Sequence, residues 1–427
     1  MSSGVKYTNK IFIFNLLTYP FKTTFMTLNQ IAEEYVKLVL SIGLHDDSYV
    51  DAYYGPAEWK SQTTKKTLSD LLSVANLLIA EFKALPTPPK NERLRQNFLL
   101  IQLGAVRAYI DQLSGTKLSF DAESLALYDA QRPPLIESDF DLILLELDQL
   151  LPGEGDLNTR LSIFHINFEI PLDKLDAVFT AAINESRRRT KKYINLPEHE
   201  DFQVEYVHNQ IWSAYNWYKG NSFSLIQVNT DFPMFISRAI DLASHEGYPG
   251  HHVFNLLIEQ TLVNEKAWVE YSIYPLYSPI SFLAEGSANY GIEVVFPEIE
   301  RLHFERNTLF PLAGINPDTA DLYYRVHTIL QKLSYAGNLV AKRYLDGEID
   351  RQAAIHMLMK YALSDEKRST QRLDFIEKNR SYVINYNLGQ DIVKAYIEKN
   401  TGKDDEQQRW HAFADLLRHP RTASMML

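Results

Sequence analysis

The apolar residues Leu28, Ile31, Ala32, Tyr35, Leu38 and Val39 recur at helical spacing, which lines one face of an α-helix and no face of a strand. Similar patterns return at about 66–84, 91–113, 138–151 and 172–194, with breaks at Pro86, Pro88, Pro89 and at Pro133, Pro134. Beyond Pro317 the stripe resumes through Leu322, Val326, Ile329, Leu333 and Val340, and a last helix opens with Asp404 and Gln407 in capping positions. With only 17 glycines and few alternating runs, an all-β plan is disfavoured. The expected fold is mainly α: a large helical domain over residues 27–427, with residues 1–26 as an extension outside it. A chain of 427 residues, 45% of them hydrophobic, can bury a substantial core.

One region departs from this texture. Between about 203 and 230 aromatic and β-branched residues mix with turn formers, including Trp212, Tyr215, Trp217, Gly220 and Asn221, and this predicts a small strand or hairpin element. Asp231 and Pro233 then read as a helix start. The helix that follows is apolar on several sides, through Met234, Phe235, Ile236, Ala239, Ile240 and Ala243, so it is expected to be buried. It runs straight into His245.

Charge and composition narrow the chemistry. A net charge of -11 disfavours nucleic acid or an anionic lipid surface as partner. The one basic block, Arg187, Arg188, Arg189, Lys191 and Lys192, falls where cations meet a negative helix end. With no cysteine in the chain, any transition metal must be held by histidine and carboxylate. Lys10 to Phe21 is apolar but interrupted by Asn15, Thr18 and Pro20, too short to span a bilayer and without a small-residue cleavage pattern. A soluble, cytoplasmic protein without membrane partners is expected.

The densest ligand cluster is S-H-E-G-Y-P-G-H-H at 244–252, which holds three of the 12 histidines. A helical His-Glu-x-x-His brings two imidazoles to one zinc, and the glutamate beside the first activates water. Here the usual second ligand position is Pro249. On an ideal helix His251 lies about 240° round from His245, while His252 shares its face about 10 Å further along. Neither suits an unbroken helix. Pro249 and Gly250 allow a break or a local π-like bulge that returns one of them to His245. The alternative is that Pro-Gly ends one helix and a histidine opens the next as an ordinary polar residue.

A zinc site with a free position for water needs a third protein ligand. Glu285, in F-L-A-E-G-S-A-N-Y-G-I-E, is the best candidate, because its apolar flanks predict a buried carboxylate that requires a cation. A glutamate favoured by the helix N-terminus is the competing account. Asn289, one turn on, is placed to orient a ligand, and Glu293 is a poorer candidate.

H-E-G-Y-P-G-H followed by E-G-S-A resembles a large, mainly bacterial family of helical proteins grouped with the glutamate-type zinc metallopeptidases. Its pattern is H-E-x-x-P-G-H and then E-G-x-A, usually with tryptophan where this chain has Ser287, a departure that bears on the pocket wall. The resemblance extends over about residues 27–400 and includes Y-V-D-A-Y-Y-G-P-A-E-W at 49–59. It implies Zn2+ held by His245, His251 and Glu285, with Glu246 as general base and His251 preferred to His252. It also implies a zinc-dependent hydrolase, a peptidase acting on a peptide or small amide. Tyr386 matches the family's C-terminal Tyr-x-x-Gly and is a candidate oxyanion donor, or else a packed aromatic; His252 and His327 lack such positional support. Peptidases of this kind bind substrate along a strand edge, here expected at Asn221 to Asn229. Asn229 is then a candidate substrate contact, or with Asp231 a shaper of the turn. A hydrolase of non-peptide amides or esters would use the same ligands, and a helical scaffold without catalysis would bind no metal.

Overall fold

A computed structural model describes residues 26–402 and 405–427. The extension expected at 1–26 lies, Met26 apart, outside the described residues, as does Asp404. The chain is mainly helical with a few short strands. The predicted helices appear as Leu28–Ile42, Leu68–Lys83, Arg93–Leu113, Glu137–Leu150 and Leu172–Thr190. The first opens on Thr27, which forms a capping box with Gln30. The basic block ends Leu172–Thr190, where Arg188 and Arg189 bond Glu185 and Arg187 reaches Glu200.

Three expectations about boundaries need correction. The stretch 231–236 is not yet helix: Ile170 and Ile236 donate their backbone N–H groups to Met234 and Phe168 around a bridge between Glu169 and Phe235, so the segment is tied to residues 168–170 and the helix starts at Ser237. The stripe beyond Pro317 is two helices, Ala320–Lys332 and Ala336–Leu345, and Leu322 is exposed. The last long helix is capped by Asp405, which accepts from the N–H of Gln408.

The strand-like texture becomes a three-stranded sheet of β2 (Asp201–Val207), β3 (Ala214–Gly220) and β4 (Phe223–Asn229). β4 is central, parallel to β2 and antiparallel to β3. A separate antiparallel pair joins β1 (Val50–Tyr53) to β5 (Ile273–Pro275). The β3–β4 turn puts Asn221 and Ser222 at positive φ, a conformation that suits a tight hairpin. The Glu259 carboxylate fixes it by accepting their N–H groups at 2.9 and 3.3 Å.

β4 leads into the histidine helix, Ser237–Leu242, which continues through a π-helical turn, Ala243–Gly247, and restarts as His251–Ile258. Beside it runs the glutamate helix, Pro279–Val295, with 14 of its 17 residues buried. Any charge on that helix therefore needs a partner. It crosses the helix Ile384–Thr401 at Gly286 and Gly389. A methyl group on Gly286 would stand 2.4 Å from the backbone of Gly389, so the two helices meet backbone to backbone. The main hydrophobic core runs continuously from Ile31 to Met426. Among the described residues no helix is long and apolar enough to cross a membrane.

Candidate metal centre

The π-helical turn brings the two histidines together. Tyr248 donates its N–H to the carbonyl of Ala243 and Gly250 donates to that of Ser244, so the chain loops past its normal hydrogen-bonding register. Gly250 is required for this: a Cβ there would lie 1.8 Å from the carbonyl oxygen of His245. The helix then restarts with His251 folded back toward His245.

His245 Nε2 and His251 Nε2 are 3.1 Å apart. The Oε2 atom of Glu285 lies 3.2 Å from the first and 3.7 Å from the second. Tetrahedral zinc with bonds of about 2.0–2.1 Å needs ligand atoms roughly 3.3 Å apart, so this triangle fits the ion. That Oε2 atom is buried with the two imidazole nitrogens as its near polar neighbours, so its charge must be met there, by a protonated imidazole or by a cation held among the three. Burial opposes both charges, yet the imidazoles hold the Glu285 carboxyl well below its usual range, and Glu285 pushes His251 up to about 9.

Neighbouring groups orient the three. Asn289 donates its Nδ2–H to the carbonyl of Tyr386 at 2.7 Å, which leaves Oδ1 facing His245 Nδ1 at 2.9 Å. His245 must therefore carry its proton on Nδ1, and its Nε2 lone pair points into the triangle. Tyr382 donates to Glu285 Oε1 at 2.7 Å, freeing Oε2. Sequence reasoning found Asn289 from its spacing but missed Tyr382, because a tyrosine among 25 carries no positional signal.

His252 points the other way. It is fully buried, with Nδ1 2.9 Å from Ser224 Oγ on β4 and Nε2 3.3 Å from Glu200. It belongs to the packing of helix on sheet. Glu293 bonds Gln390 and Lys394 on the surface, and His327 lies elsewhere along the cleft, pushed down to about 4 by burial. Ser287 is buried, back-bonds to the carbonyl of Ala284 and does not line the cleft.

The triangle opens onto a cleft of about 1440 Å³. Glu246 lines it as a nearly buried residue whose carboxylate has no hydrogen-bond partner among the described residues. Tyr386 lines it too, and burial and the charges of Glu285 and Glu246 raise its phenol well above the ordinary value. The edge strand at the cleft is β3, not the stretch Asn221 to Asn229, which is the central strand. Asn229 uses its amide to donate to the carbonyls of Gln210 and Trp212 and to accept from Asp231, so it builds the turn before β3. On β3, Asn216 donates to the backbone carbonyl of Glu246 at 2.6 Å, while its own Oδ1 is buried without a partner beside the cleft. Across from β3, Asp51 on β1 accepts from Tyr215, and burial pushes its carboxyl up to about 6. Asp51 lies in the 49–59 motif and Tyr215 in the strand-like texture, but nothing in the sequence paired the two.

No family model and no curated protein matches the chain. Among solved structures, it is similar to a candidate lipoprotein of Colwellia psychrerythraea, at 13% identity and a TM-score of 0.51, over 94% of this chain and 75% of that one. A candidate lipoprotein of unknown function from Shewanella oneidensis aligns at 14% identity and a TM-score of 0.49, over 95% and 88% of the two chains. A structure described as BsuCP aligns at 11% identity and a TM-score of 0.44, over 92% and 88%. The Colwellia protein shares the overall fold.

Proposed function

We propose that the chain is a zinc-dependent hydrolase acting on peptides, with His245, His251 and Glu285 as metal ligands. The observation that supports this reading is the convergence of two imidazole nitrogens and a buried carboxylate oxygen at zinc spacing. Zinc held there supplies Lewis-acid polarisation of the scissile carbonyl and acidifies water. Glu246, adjacent in sequence to a ligand and open to the cleft, accepts the proton of the attacking water and delivers it to the leaving amine. The Tyr386 phenol, which stays protonated, donates to the oxygen that becomes negative. The free edge of β3 offers backbone groups to an extended substrate, and Asn216 Oδ1 adds an acceptor there.

Metal analysis of the purified protein beside His245→Ala and Glu285→Ala tests the ligand set: about one zinc per chain is expected in the parent and none in either variant. Glu246→Gln should keep the metal and lose about 100- to 10,000-fold in turnover on peptides. Full metal loading with unchanged hydrolysis in that variant removes Glu246 from the reaction.

A further inference from the structure

Among the described residues the buried arginines have acidic partners. Arg301 lies 2.9 Å from both Asp241 and Glu305, and Arg95 lies 2.5 Å from Glu270. Arg372, on the helix Glu366–Asn379, is not one of these: it is exposed and has no acidic partner among the described residues. Its side chain lines the same cleft as the three ligands and is reachable by solvent there. No hydrogen bond or ion pair holds it among the described residues.

Its guanidinium lies against Gly337. A methyl group on Gly337 would stand 2.3 Å from Arg372 Nη2 and 3.0 Å from Cζ, so the fork rests directly on a backbone without a side chain. Two contacts tie this point to the metal site. Phe375, one turn further on the same helix face, has its ring 6.4 Å from those of both Tyr382, which holds Glu285, and Tyr386. Asn338, next to Gly337, bonds Asn387, next to Tyr386, at 2.8 Å. Arg368, one turn before Arg372 and stacked on Phe232 at 4.9 Å, adds a second positive charge at this end of the cleft. A solvent-reachable guanidinium without an acidic partner is open to an anion, and its planar fork fits a carboxylate with two parallel hydrogen bonds.

We propose that Arg372 binds the C-terminal carboxylate of the substrate, which makes the enzyme an exopeptidase that works from the carboxyl end of short peptides. This rests on the peptidase reading above, with the carboxylate anchored at Arg372 and the scissile bond at the triangle. A peptide lying along β3 then has its register set by its end.

The test compares one short peptide as its free acid and as its C-terminal amide, each with free and acetylated N-terminus, on the zinc-loaded protein, Arg372→Gln and Arg372→Lys. The parent is expected to favour the free acid by about 10- to 100-fold in kcat/KM, the worth of a charge-assisted paired contact, with N-acetylation neutral. Arg372→Gln should bring the acid-to-amide ratio close to one, chiefly through KM, and Arg372→Lys should restore part of it. Equal cleavage of acid and amide by the parent, or an unchanged ratio in Arg372→Gln, overturns the proposal. Calorimetry with the same acid and amide reads the carboxylate contact without turnover. If no peptide is cleaved but the acid binds at least about tenfold tighter than the amide, and Arg372→Gln abolishes the difference, the receptor stands and the peptidase reading falls. If neither cleavage nor binding distinguishes acid from amide, the receptor falls too. Thermal melting of both variants shows that the fold is kept.

Discussion

His251 and His252 are neighbours in sequence and opposites in environment. One turns its Nε2 toward His245 and Glu285, and the other bonds Ser224 and Glu200 inside the core. His251→Ala should therefore abolish zinc binding with modest loss of stability, whereas His252→Ala should keep the metal and cost roughly 3 kcal/mol through its lost core contacts and hydrogen bonds. Metal content and thermal melting of the two variants separate the roles. The pH dependence follows from the same triangle. Without metal, Glu285 raises His251 from 6.5 to about 9, so the charged pair supports the fold fully below about 6.5 and that support is lost as pH rises through about 9. Zinc needs the neutral imidazole, so below about 9 it must displace a proton, and its apparent affinity should gain about tenfold per pH unit. Competition with a chelating dye at several pH values measures that slope, and a flat profile would show that no proton leaves. At this scale the three converging side chains were legible because histidine and glutamate are scarce in apolar surroundings. Tyr382 was not, nor was the pairing of Asp51 with Tyr215, because these contacts join residues more than 90 apart in sequence.

At the scale of elements, two irregularities build the site: the π-helical turn with its Gly250 contact, and the backbone-to-backbone crossing of Gly286 on Gly389. Pro249 and Gly250 signalled the first, since proline in the usual ligand position forces some departure from a regular helix. The crossing was invisible, because nothing in a lone glycine says which backbone approaches it. Gly286→Ala should force the helices apart, cost about 1–3 kcal/mol or more, and draw Tyr382 away from Glu285. Tyr382→Phe removes only that hydrogen bond and should weaken zinc by about 10- to 100-fold with the fold intact. Isothermal titration of zinc into both variants, with melting curves, distinguishes the steric effect from the polar one. The strand assignment shows a different limit. Aromatic and β-branched texture marked the sheet, but strand order depends on pairing. The stretch expected at the edge, Asn221 to Asn229, is the centre, with β3 outside it.

Across the whole molecule, the ligands come from two separate runs of chain, and an ion between them would tie the histidine helix to the glutamate helix. At free zinc a thousandfold above Kd this linkage stabilises the fold by about 4 kcal/mol. Chelation should lower the melting temperature by several degrees in the parent and leave Glu285→Ala unmoved; an equal fall in both would mean that the metal binds elsewhere. The helical class was legible from periodicity alone, whereas the pairing of β1 with β5, four and three residues long, is too short and too distant in sequence for any local pattern to reveal. The Gly286–Gly389 contact also bears on how such a chain can drift. Neither residue can grow without the opposite helix retreating, and no change at one makes room at the other, since nothing is smaller than glycine. The two positions are closed to substitution as a pair, while each helix stays free to vary on faces that do not touch, so the chain can diverge widely around a fixed point of contact.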